Sequence, residues 1–164
     1  MFQLPKLACA LLCLSFSYIA HAAEEAVEAT QHDPFVEAQL DAMDIPYVVD
    51  EDGDFRILVA LEDERTQVVW VRSRTHTTGS QRIREIWTYG MRSDERRIPA
   101  HIANRLLKEN SELVLGSWAR HDGNAVLILR IQADAEASVL DESIDLAASL
   151  GDQMEQRLVS GDEL

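Results

Sequence analysis

The 164-residue chain carries 29 acidic against 15 basic side chains, a formal charge of −14, which makes nucleic acid a poor partner. Hydrophobic residues make up 46% of it, enough to build a core. Both cysteines, Cys9 and Cys13, lie near the amino end, so the rest of the chain has no thiol for a disulfide, a nucleophile or a thiolate metal site.

Residues 1–22 read as a cleavable signal peptide. Lys6 supplies the positive charge, 7–19 are almost unbroken apolar sequence, and Ala20-His21-Ala22 puts small residues where a signal peptidase reads them. The apolar run is about 13 residues, short of the roughly 20 of a membrane-spanning helix, and neither cysteine stands at its end, where lipidation needs one. The expectation is a periplasmic or secreted protein, cleaved near Ala22, with no transmembrane segment in its mature form. Residues 23–32 are polar and without aromatics, a flexible tether. One domain occupies 33–164.

Asp33-Pro34 opens the first helix, because an aspartate side chain can accept from a free amide and proline suits the first helical position. Phe35, Val36, Leu40 and Met43 follow at helical spacing. From Tyr47 the period changes to two, and 47–49, 55–61, 67–73 and 83–91 read as strands of an antiparallel meander. A second helix starts at Ile98-Pro99, with Ile102, Leu106 and Leu107 on its buried side and Asn110 at its carboxyl end. Two strands at 113–120 and 125–132 flank His121-Asp122-Gly123-Asn124, a tight hairpin turn. Leu140, Ile144, Ala147, Leu150, Met154 and Leu158 form one stripe of a long final helix, ended by Gly161. The order α-β-β-β(-β)-α-β-β-α with hairpins implies an α+β fold around an antiparallel sheet.

No constellation for chemistry emerges, so the chain reads as a non-catalytic protein without a cofactor. Asp50-Glu51-Asp52-Gly53-Asp54 resembles part of a calcium loop, but glycine precedes the last aspartate and Leu61 stands where the twelfth-position glutamate belongs, so a hairpin turn is the better reading. His32, His76, His101 and His121 have no paired ligand spacing. Ser117 lacks the second glycine of a nucleophile elbow.

The charge is uneven, and residues 65–97 hold eight arginines against three acids. If 75–81 form the loop of a symmetric hairpin, Arg74 faces Arg82 and Arg72 faces Arg84, with Trp70 on the same face. Such crowding is costly unless neutralised. It would serve as a docking patch for an acidic peptide, a lipid headgroup or a polysaccharide, or be neutralised by the protein's own carboxylates. Trp70, Trp87 and Tyr89 also fall in strands, where most aromatics are core, but a sheet face left bare would display them as a contact surface.

Tyr47-Val48-Val49-Asp50-Glu51-Asp52-Gly53-Asp54-Phe55, then Pro99 and Leu106-Leu107-Lys108-Glu109-Asn110, then Gly116-Ser117-Trp118, are together similar to the YbjN-like domain over about 34–160. The resemblance implies a fold like that of type III secretion chaperones, often homodimeric, in a family described as sensory-transduction regulators with no catalytic residues to carry over. Secretion chaperones work in the cytoplasm, whereas this chain reads as exported. The resulting expectation is a regulatory or chaperone-like module for a protein or peptide partner, or else a binder of anionic envelope components through Arg72, Arg74, Arg82 and Arg84.

Overall fold

The computed structural model describes residues 31–93 and 95–159; the segment read as a signal peptide, most of that read as a tether, and Gly161 lie outside them. Helix α1, Pro34–Ala42, begins as its sequence dictates, with the Asp33 carboxylate accepting from the Phe35 amide. Strands β1 (Tyr47–Val49) and β2 (Phe55–Ala60) are joined by the acidic turn. There the Asp50 Oδ1 accepts from the amides of Asp52 and Asp54, and Gly53 takes φ +78°. This is the hairpin reading. Among the described residues no three metal-binding side chains converge.

Strands β3 (Thr66–Thr78) and β4 (Gln81–Met91) form one long hairpin, followed by α2 (Ala100–Asn110), β5 (Ser117–His121), β6 (Asn124–Gln132) and α3 (Ala137–Val159). The six strands make one antiparallel sheet in the order β1-β2-β3-β4-β6-β5. The α+β order anticipated from the sequence is the one observed. No helix among the described residues is long and apolar enough to cross a membrane.

Alternation sends Phe55, Ile57, Val69, Val71, Ile86, Leu127 and Leu129 to one face. Val36 and Leu40 of α1, Leu106 of α2, and Leu140, Ile144, Ala147 and Met154 of α3 close over them in a single core. Helix α3 lies so near the sheet that a Cβ on Gly151 would meet Gln67 Nε2 at 2.8 Å and Thr88 Oγ1 at 2.9 Å. Buried polar groups there are matched: the Gln67 amide donates to Thr88 Oγ1 and to Tyr89 O.

Two expectations change. Leu107 is 68% exposed rather than buried; Leu106 alone of the pair faces the sheet, since adjacent helical positions point about 100° apart. Residues 113–116 precede β5 instead of belonging to it, because Gly116 turns the chain at φ +111°.

Candidate functional site

The β3–β4 hairpin is tighter than a symmetric 75–81 loop. Thr78 pairs with Gln81 across Gly79 and Ser80, Thr77 with Arg82 and Thr75 with Arg84. Between Thr75 and Val71 the register slips, so that Val71 pairs with Ile86 and Trp70 with Trp87. Arg74 is therefore not opposite Arg82, nor Arg72 opposite Arg84. The four-guanidinium cluster does not form.

The slip exists because its polar groups are satisfied. Arg84, 1% exposed on the helix side, donates through Nη1 to the carbonyls of Arg72 and Ser73 and through Nη2 to Asp33 Oδ2. Ser73 donates its amide to Asp54 Oδ1 and its hydroxyl to Gly53 O, and its Oγ accepts from the Asp33 amide. One buried arginine thus ties the bulge of β3 to the cap of α1. Burial, the largest influence on the Asp33 carboxyl, works to raise its pKa. The Arg84 hydrogen bond and charge with the Phe35 and Val36 amides outweigh it and hold the group below its ordinary 3.8. A depressed acid stabilises the fold above its unfolded pKa and loses that contribution as pH falls through the folded one. As pH falls below about 4, Asp33→Asn should therefore lose less stability than the wild type in denaturant titrations.

On the other face of the sheet no helix packs among the described residues, and it displays what the helix side lacks. Trp70 and Tyr89 meet edge to face at 5.3 Å, and the Arg92 guanidinium lies 4.5 Å from the Tyr89 ring centre and 5.8 Å from that of Trp70. Trp87, beside Trp70 in the register, carries Arg72 at 4.8 Å on its ring and His121 at 5.1 Å, and donates Nε1–H to Glu85. These aromatics are half-buried. Val126 and Ile128, paired with Tyr89 and Trp87, are buried on this face with no helix above them. Each cation–ring contact contributes about 0.5–1 kcal/mol at such sites, enough to hold the guanidinium groups in place.

Two shallow clefts open onto the face. One, about 360 Å³, is bounded by Val68, Trp70, Tyr89, Met91 and Arg92; the other, about 410 Å³, by Tyr47, Val48, Arg56, Leu58 and Val68. Arg72 is also paired, its Nη1 standing 2.7 Å from the Oδ2 of Asp54. That contact is a charge pair rather than an aligned hydrogen bond, because Oδ2 finds no hydrogen-bond donor in suitable geometry. Burial accordingly pushes the Asp54 carboxyl up, against the Ser73 amide and the Arg72 charge.

Comparison with family models, curated proteins and solved structures returns no match for this chain.

Of the residues singled out in the sequence, Trp70, Trp87, Tyr89 and Arg72 come together. Arg84 lies beneath the sheet as a structural tie, and Arg74 and Arg82 are exposed on the distal hairpin, where β3 and β4 pair beyond the bulge. Sequence reasoning missed Arg92. Alternation from Tyr89 assigns position 92 to the opposite face, but the register slips between Tyr89 and Met91, and the irregularity returns Arg92 to the aromatics.

Proposed function

We propose that this protein is an exported, non-catalytic binding module that holds a peptide or protein partner against the bare face of its sheet. The observation that carries this reading is a helix-free face on which Trp70, Tyr89 and Trp87 stand half-exposed, with Arg72 and Arg92 stacked on them. Rigid aromatic rings with adjacent guanidinium groups are the composition of binding hot spots, since they bury much area at small entropic cost. The sequence pattern of 1–22 supports export. The similarity to YbjN-like domains supports a regulatory or chaperone-like role and adds self-association, which the solution mass of the mature domain tests. The alternative, an anion-binding arginine hairpin, loses its main support, because Arg84 is buried against Asp33 and Arg72 faces Asp54.

Crosslinked capture from envelope extract tests the face. A Trp70→Ser/Tyr89→Ser double variant that keeps its thermal midpoint should lose about ten-fold or more of the captured partner, while Leu107→Ser on the outside of α2 should lose none. Equal capture by the double variant removes the face from the proposal, and turnover of a substrate by purified protein removes the non-catalytic reading.

A further inference from the structure

Strand β6 outruns its neighbour. β5 pairs with it only from Asn124 to Ile128, because Gly116 turns away so close to Ile128 O and Leu129 that no Cβ fits there. From 129 to 132 β6 has β4 on one side and, among the described residues, no strand on the other. Successive residues of an antiparallel strand present their main-chain groups to alternate sides. The Ala133 amide reaches Arg82 O, on the β4 side, so Arg130 and Gln132 turn theirs to the free edge. Gln132 O is engaged by the Ala135 amide. The Arg130 N–H and C=O and the Gln132 N–H remain directed outward.

Beside this edge runs a groove of about 570 Å³ against α3. Leu115, Val139 and Leu146 line it and are 53%, 41% and 39% exposed. Its rim carries Asp134, Glu136 and Glu142, while the nearby Arg130 guanidinium is engaged by Glu85 on the bare face. Open main-chain donors, an apolar wall and an acidic rim together specify an occupant. Resting on the binding-module reading but placed on a different surface, we infer that the β6 edge takes an extended segment of a partner protein as an added strand, one that alternates apolar and basic side chains. Main-chain bonds supply affinity in this mode and alternate side chains supply selectivity. A second copy is the wrong occupant, because it brings the same acidic rim rather than the basic side chains this one calls for. Four residues of open strand, roughly 13 Å at about 3.3 Å each, make this a short-motif site.

The test uses a short fluorescein-labelled peptide alternating valine and lysine, titrated into the mature domain and followed by anisotropy and amide hydrogen exchange. Binding should slow exchange at Arg130 and Gln132, and should weaken at least ten-fold when alternate peptide amides are N-methylated or when exposed Leu146 is replaced (Leu146→Arg). Trp70→Ser/Tyr89→Ser should leave it unchanged, which separates this site from the bare face. Protection confined to 68–72 and 87–91, equal binding of a valine–glutamate peptide, indifference to N-methylation, absence of binding, or probe-independent dimerisation through β6 would each overturn the proposal.

Discussion

Replacing Arg84 by methionine will destabilise the domain by about 3–5 kcal/mol, the cost of removing one partner from a buried ion pair. Methionine keeps the length of the aliphatic stem but not the guanidinium, so the loss joins the cavity that group leaves to its missing charge and hydrogen bonds. Three acceptors lose their donor at once: the carbonyls of Arg72 and Ser73 and the Asp33 carboxylate. A buried acceptor stripped of its partner retains its desolvation cost, about 1–3 kcal/mol each. Equilibrium urea unfolding should show a lowered midpoint with an unchanged slope. Adding Asp33→Asn to Arg84→Met should recover part of the loss, because it removes the stranded negative charge. A loss below about 1 kcal/mol would mean that water replaces the guanidinium at the bulge and that Arg84 is not its tie.

Gly123→Ala will cost about 2–4 kcal/mol, combining left-handed backbone strain with overpacking. Asp122 and Gly123 take φ +48° and +89°, the positive pair a two-residue hairpin turn needs. A Cβ at position 123 would overlap the Glu95 carbonyl oxygen and approach Arg96 Cα to 3.2 Å. The 92–97 connection cannot simply withdraw, since the Ser93 amide donates to Asn124 Oδ1 and Arg120 donates to Arg96 O. Gly79→Ala is the internal control, having φ +59° but nothing within 4 Å of its added Cβ, and it should cost only about 1 kcal/mol. Differential scanning calorimetry on the two variants separates clash from strain; equal melting shifts would show that the connection yields.

Both variants act where chain segments distant in sequence meet, and the same division runs through the whole molecule. Local chemistry is legible from the residues alone. Asp33-Pro34 caps a helix, period-two runs become strands, Asp122-Gly123 turns a hairpin, and the stripe from Leu140 to Leu158 lies on one long helix. Each of these depends on neighbours within a few positions, where spacing and side-chain type suffice.

The candidate docking face was only half legible. Trp87 and Tyr89 share a side by simple alternation, but whether a helix covers that side depends on how α1, α2 and α3 distribute over the sheet, and all three pack on the other one. Register decided the fate of the arginines. The two-residue turn at Gly79-Ser80 pairs odd positions with even ones, so Arg84 follows Ile86 to the helix side and Arg72 follows Trp70 to the aromatics, while a slip between Tyr89 and Met91 brings Arg92 beside them. A strand's side-chain period is two, so any odd irregularity exchanges the faces of everything beyond it. The longer slip between Val71 and Thr75 skips two residues and so keeps the faces, but it too is held by donors and acceptors far away in the chain, Asp33, Asp54 and Gly53. The sequence by itself thus determined the elements, their order and the α+β class, while packing alone decided which face stays bare and which charges reach it.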